Sequence, residues 1–185
     1  MSKSERTSSV EELRTRAREN LTDGALTSNY VGDVATAIKM LNDALATELT
    51  CVLRYRFHYV AAQGLDSEAV KGEFLQHANE EQAHADRIAE RINQLGGKAN
   101  FDPATFAARS ITEYREGKHL VDMIKEDLVA ERIAVEHYRD MVRYFGEKDP
   151  TTRRLLEDIL AQEEEHANDM HDLLVAHEGS PPLSK

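Results

Sequence analysis

The sequence contains no tryptophan, one cysteine and four prolines among 185 residues, and each scarcity excludes something. A lone thiol, Cys51, can form neither an intrachain disulfide nor a paired-cysteine metal knuckle, which fits a reducing compartment. The residue reads as a small buried apolar side chain. Aromatic residues make up 6% of the chain, too few for the usual sheet protein. No apolar run approaches the roughly 20 residues that span a bilayer, and the first residues, MSKSERTSSVEELRTR, are too polar for a secretory signal, so the expected location is the cytoplasm and no membrane partner is expected. Positive charge is also short: 23 Lys and Arg face 34 Asp and Glu, a formal net charge of −11. Such a field repels nucleic acid and attracts cations. Residues 1–20 hold five basic and four acidic side chains, which leaves little excess charge for phosphate, so nucleic-acid binding is not expected. Acidity alone does not argue for metal, because it also serves solubility.

What is abundant is the vocabulary of helices: Ala, Leu, Glu and Arg. The length suits one domain, whose core can remove roughly two-thirds of the unfolded surface from water. Residues 1–30 read as a tail with at most one short helix near Val10 to Leu21. A helical pattern runs from Val31 to Gln63, with Gly64 as a stop and Asp66-Ser67 as the next N-cap signal. The second helix continues to Leu95 and ends at Gly96-Gly97. Asp102-Pro103 opens a short connecting helix to Ser110. A third long helix starts at about Thr112 or Lys118 and closes at Phe145 before Gly146. Asp149-Pro150 opens the fourth, which ends near His177. Gly179, Pro181 and Pro182 make 179–185 a disordered end. The fold class is therefore all-α, a four-helix bundle over residues 31–178 with a long connection between its second and third long helices.

In the second helix, positions 70, 74, 77, 81, 84, 88, 92 and 95 keep to one face and read Val, Phe, His, Glu, His, Ile, Ile, Leu. In the fourth, 156, 159, 163, 166, 170 and 173 read Leu, Ile, Glu, His, Met, Leu. The first helix aligns Leu41, Leu45, Glu48, Val52, Tyr55 and Tyr59, and the third aligns Ile124, Leu128, Glu131, Val135, Tyr138 and Phe145. Each helix thus offers one inward Glu. Four carboxylates facing one apolar core repel one another and lose hydration unless they are protonated, paired with cations or bound to metal.

Metal is the economical solution. Glu81-x-x-His84 and Glu163-x-x-His166 each place a carboxylate and an imidazole one turn apart on the same side of a helix. Carboxylate with imidazole and no thiolate suits iron or manganese, with zinc as a possible substitute. The candidate ligands are Glu48, Glu81, His84, Glu131, Glu163 and His166. From Glu48 to Glu81 is 33 residues and from Glu131 to Glu163 is 32, and a Tyr follows the first Glu of each half by seven, Tyr55 and Tyr138. The halves read as two copies of one helix pair, related by a pseudo-twofold axis through a two-metal centre. His58, His77, His137, His171 and His177 lack the paired pattern and are assigned surface or supporting roles.

The segments LNDALATEL around Glu48, EQAHAD around Glu81 and His84, DLVAE ending at Glu131 and LLEDILAQEEEHA around Glu163 and His166 closely resemble bacterioferritin, a member of the ferritin-like di-iron carboxylate superfamily. They cover the core of all four helices. The resemblance implies a ferritin-like bundle with a ferroxidase centre, Glu81 and Glu163 bridging two irons, Glu48 and His84 completing one, Glu131 and His166 the other. Two departures stand out. Gln82 occupies the place of the methionine that ligates haem in haem-binding bacterioferritins, so haem is not expected. The chain also stops soon after its fourth helix, where bacterioferritins continue into a fifth. The connecting helix at 103–110 instead resembles that of the Dps (DNA protection during starvation) proteins. The paired cysteines of the archaeal thioferritin branch are missing.

These features imply a Dps-like protein with a bacterioferritin-type internal site: a ferroxidase with two irons per subunit. It would oxidise Fe(II) with hydrogen peroxide or dioxygen, store ferric mineral in a hollow homo-oligomer and protect against oxidative stress. A dodecamer is favoured over a 24-mer. Tyr55, on the face of Glu48, is the candidate catalytic tyrosine, bonding a ligand carboxylate or supplying an electron, though a core tyrosine with a satisfied hydroxyl fits the position as well. Glu80, Glu164 and Glu165 are candidates for the cavity surface. The competing reading is a soluble di-iron or di-manganese catalase or peroxidase without mineral; a rubrerythrin would need cysteines that are absent.

Overall fold

The computed structural model describes residues 8–19, 21, 24–63 and 67–178. Among them there is no strand. A short outer helix, α1 (Val10–Glu19), precedes the long helices α2 (Val34–Ala61) and α3 (Ser67–Gln94), a connection carrying a 3-10 turn (Pro103–Thr105) and a single-turn helix α4 (Phe106–Arg109), and the long helices α5 (Leu120–Phe145) and α6 (Pro150–Glu178). With 26 to 29 residues each, the long helices run about 40 Å at 1.5 Å per residue. The expected stop at Gly64, the Asp66 cap and the C-terminal end at 179–185 lie outside the described residues.

Local chemistry sets the ends. Asp33 caps α2 by accepting from the Thr36 amide at 3.1 Å, and Asp149 caps α6 by accepting from the Thr152 amide at 2.9 Å ahead of Pro150. At the end of α3, Gly96 takes φ +75, a backbone conformation that costs a side chain dearly, while the Gly97 amide donates to Ile92 O at 2.9 Å. A Cβ at Gly97 would sit 2.8 Å from the Ile38 side chain, so the turn packs against α2 only with glycine there.

Helices α2 and α3 pack as one pair, α5 and α6 as the other. Two apolar clusters fill the bundle. One joins Leu41 and Leu45 to Ile88, Ile92, Met141, Phe145, Leu156 and Ile159; the other joins Tyr55 to Val70, Phe74, Ile124, Leu128 and Met170. The end of α3 and the end of α5 share the first cluster and their beginnings share the second, so these helices run parallel. The connection between them must therefore travel the length of the bundle.

It does so along α2, on a ladder of polar side chains. Asn42 Oδ1 accepts from the Asn100 amide at 2.8 Å, Thr47 Oγ1 from the Ile111 amide at 3.1 Å, Arg54 donates to Glu113 O at 3.3 Å and His58 Nε2 lies 3.0 Å from Glu116 O. This ladder bears on two expectations. Of the two expected starts of the third long helix the later one, near Lys118, holds: α5 begins at Leu120, because residues 113–117 are spent on these contacts and Gly117 turns the chain at φ +66. The buried face of α2 also differs: Val52 and Tyr59 are only partly covered, whereas Cys51, Arg54 and His58 are buried under the connection.

Candidate metal centre

Between the two apolar clusters lies a band of ionisable groups. Glu48, Glu81, His84, Glu131, Glu163 and His166 are each at most 2% exposed, placed there by the one inward position per helix that the stripes supply, plus one imidazole a turn further along α3 and α6. Donor atoms of Glu48, Glu81, His84 and Glu163 all lie within 4.8 Å of one another, and so do those of Glu81, Glu131, Glu163 and His166. The two sets share Glu81 and Glu163.

The protonation pattern follows from that crowding. Burial and then the neighbouring Glu81 push Glu48 up to about 8; the same two influences raise Glu131, and burial with Glu81 and Glu48 raises Glu163 well above the carboxylate range. Burial would raise Glu81 too, but the neighbouring imidazoles of His166 and His84 outweigh it and hold this carboxylate well below its usual value. Both imidazoles resist the lowering effect of burial: carboxylates Glu163, Glu48 and Glu81 raise His84, and Glu81 lifts His166 to about 9. Protons shared among these carboxylates and imidazoles thus hold the centre together. Even so, both oxygens of Glu81, one each of Glu131 and Glu163, and Nδ1 of His166 are buried without a hydrogen-bond partner, an uncommon and costly condition that a bound cation would relieve.

Around the six, partners are arranged in crossed pairs. His84 Nδ1 faces Glu163 at 3.0 Å, Glu48 at 3.2 Å and Glu81 at 3.6 Å, while its Nε2 bonds Gln162 Oε1 at 2.9 Å. His166 Nδ1 faces Glu81 at 3.4 Å and Glu131 at 4.0 Å, while its Nε2 bonds Glu80 Oε2 at 2.9 Å. Tyr55 of α2 donates to Glu131 of α5 at 2.5 Å, and Tyr138 of α5 donates to Glu48 of α2.

Some of these partners escape a reading of the sequence. Glu80 is not free on the surface but braces His166, whereas Glu164 and Glu165 are exposed. Gln162 and Glu80 each immediately precede the Glu of a Glu-x-x-His pair, so the repeat in the chain extends to them. His77, assigned a surface or supporting role, is fully buried and stacks on His166 with ring centroids 4.1 Å apart; its place four residues before Glu81 on the α3 stripe was the clue. His58 is buried against Asp127, while His137 and His177 are half-buried and His171 is exposed. Gln82 donates to Asp86 at 2.9 Å.

The family model for ferritin-like domains matches residues 38–178. The chain belongs to the ferritin-like family. Among relatives of this ferritin-like chain, a DNA protection during starvation protein of Pyrococcus furiosus is 34% identical over 146 residues, covering 77% of this chain and 78% of that protein. A bacterioferritin of Rhodobacter capsulatus is 30% identical over 135 residues, covering 72% and 80% respectively. The solved structure of a dodecameric thioferritin from Bacteroides fragilis, described as bacterioferritin-related, superposes with a TM-score of 0.76 at 28% identity over 95% of this chain and 100% of the other.

Proposed function

We propose that this ferritin-like chain is a ferroxidase and iron-storage protein, taking up two Fe(II) ions per subunit and releasing the ferric product to the interior of a hollow homo-oligomer. The observation that carries the reading is the pair of overlapping four-donor sets, each with one imidazole and three carboxylates, which leave buried oxygens without partners. Hard oxygen donors with one nitrogen suit iron or manganese. Glu81 and Glu163, shared by the two sets, would serve both ions, with Glu48 and His84 completing the donors of one and Glu131 and His166 those of the other. The kinship with a bacterioferritin and a DNA protection during starvation protein supports the same reading.

Bound iron supplies the redox chemistry: two Fe(II) together deliver the two electrons that convert hydrogen peroxide to two hydroxides, avoiding a one-electron radical. The chain's own groups do the rest. Gln162 and Glu80 hold the Nε2 protons of His84 and His166, so that Nδ1 of each ring is turned to the carboxylates of the centre, where it would meet an ion. Tyr55 and Tyr138 orient the two non-bridging carboxylates, and Tyr55 is positioned to act catalytically at Glu131. The apolar clusters on either side keep bulk water from the centre. The dodecameric B. fragilis relative, matched over nearly the whole chain, favours a dodecamer.

The test is to load metal-free protein with Fe(II) and peroxide, separate assemblies by size and measure iron per chain. Iron far beyond about two per chain, eluting with a large assembly, supports storage. Saturation at about two in a small oligomer would favour a catalase- or peroxidase-type enzyme instead. Loss of neither iron nor oxidation in the Glu81→Gln, Glu163→Gln double variant would overturn the site.

A further inference from the structure

A second cluster of donors lies just outside the centre, on the seam between α3 and α6. Donor atoms of Glu73, His77 and Asp169 fall within 4.8 Å of one another. The imidazole is fully buried, yet each carboxylate side chain is 42% exposed, and an open cleft of about 260 Å³ lined by Glu73, Asp169, Asp172 and Leu173 leads to them. His77 Nε2 points at Asp169 Oδ2, 3.3 Å away, with Glu73 Oε2 at 4.0 Å.

The other side of the ring is held as well: Nδ1 lies 3.2 Å from the hydroxyl of Tyr55, which donates to Glu131 at 2.5 Å. That contact turns Nε2 towards the cleft, where a fully buried imidazole of α3 meets one carboxylate from α3 and one from α6 in a single donor set. A nitrogen and two carboxylate oxygens gathered at a cleft open to water make the donor set of a divalent ion.

We propose that Glu73, His77 and Asp169 form a third divalent-metal site, open to solvent and separated from the buried centre by the stacked rings of His77 and His166. The transit role given to it rests on the proposed function. One nitrogen and two carboxylates suit Fe(II), Mn(II) or Zn(II), with water completing the shell from the cleft. The site stands at the surface end of a line of donors in which Glu80 and His166 come next, so it would hold an ion in transit between solvent and the centre.

The experiment is to soak crystals of the full chain in Zn(II) alone, locate the metal by anomalous scattering, and repeat with the Glu73→Gln, Asp169→Asn double variant. Both substituted side chains reach solvent, so the variant retains the fold. The expected result is a zinc peak at His77 Nε2 in addition to those in the centre, with only the former lost in the variant. A filled centre with nothing at His77, where a proton then does the cation's work, overturns this site and leaves the proposed function standing, as does a peak that survives the double substitution. Zinc at His77 beside an empty centre upholds the site and overturns the reading of the centre. Zinc at neither overturns both.

Discussion

Gln162 Oε1 takes the Nε2 proton of His84 across the α3–α6 seam at 2.9 Å, and Glu80 does the same for His166 at the same distance in the opposite direction. Each partner precedes the Glu of the other helix's Glu-x-x-His pair, so the internal repeat extends from the donors to the groups that orient them. Outer-shell partners of this kind typically account for a 10–100-fold effect on metal affinity. Replacing Gln162 by Leu should weaken Zn(II) binding by about that factor, measured by competition with a chromophoric chelator. Unchanged affinity would show that packing alone orients His84.

The crossed tyrosines allow orientation to be separated from electron supply. Tyr55→Phe and Tyr138→Phe each remove one donor to a carboxylate, Glu131 and Glu48 respectively. If both tyrosines only orient, the two variants should slow Fe(II) oxidation to a similar extent, with metal stoichiometry retained. If Tyr55 also supplies an electron, rapid-freeze electron paramagnetic resonance should reveal a tyrosyl radical that disappears in Tyr55→Phe and persists in Tyr138→Phe.

Shared protons link the buried carboxylates and imidazoles, and this fixes the sign of a pH effect. Burial and Glu81 raise Glu48 to about 8, and carboxylates led by Glu81 raise His166 to about 9 against the opposing effect of burial. Both groups therefore bind protons more tightly folded than unfolded. Their stabilisation is complete below the unfolded values, about 4.3 for Glu and 6.5 for His, and is lost as pH rises through the folded ones. Metal-free protein should lose thermal stability from about pH 4.3 to about 9, most steeply between about 6.5 and 8 where both groups contribute. Zn(II) uptake at pH 7 should release protons, because ligands must be deprotonated to bind. Calorimetry in buffers of different ionisation enthalpy measures that release; uptake without it would mean the carboxylates are already ionised.

The stripes on α3 made that helix legible residue by residue, since Val70, Phe74, His77, Glu81, His84, Ile88, Ile92 and Leu95 are all buried as their spacing requires. On α2 periodicity failed at Val52 and Tyr59, because the face that replaces them is covered by a connection whose path no local pattern encodes. Arg54 and His58 look like surface residues in a sequence, and only the contact with residues 113–116 makes them core. The burial of the six candidate ligands was legible because each breaks an apolar stripe. Their neighbours were not, because Glu80, Gln162 and Asp169 sit on partly exposed faces where polar residues are unremarkable.

Asp149 joins capping to a buried ion pair at the start of α6. It accepts from the Thr152 amide at 2.9 Å and from the Thr152 hydroxyl at 2.6 Å, pairs with Arg91 of α3 at 3.0 Å and accepts from Tyr30 at 2.8 Å. Burial works against its charge, but these partners outweigh it and hold the carboxyl below its usual value. The resulting stability is present above the unfolded value and lost as pH falls through the folded one, so it contributes at neutral pH and fails in acid. Asp149→Ala should cost about 2–4 kcal/mol at pH 7 from the lost cap and the stranded Arg91, with the difference from the parent shrinking below about pH 4. Denaturant unfolding at the two pH values checks it.

Arg54 and Asp127 form a fully buried ion pair at 2.8 Å, with His58 on the second carboxylate oxygen at 2.8 Å. The same two α2 side chains, Arg54 and His58, also reach Glu113 O and Glu116 O. One carboxylate on α5 thus positions both groups that fasten the connection to α2. Removing it leaves a buried guanidinium without its counter-ion, and breaking such pairs typically costs about 3–5 kcal/mol. Asp127→Ala should lose stability on that scale and raise amide hydrogen exchange across residues 113–117, while Asp127→Asn, which keeps the shape and an acceptor, should lose less. Loss of stability with unchanged exchange in that segment would separate the ion pair from the path of the connection, and would leave the backbone contacts of Asn42 and Thr47 as the grip that sets it.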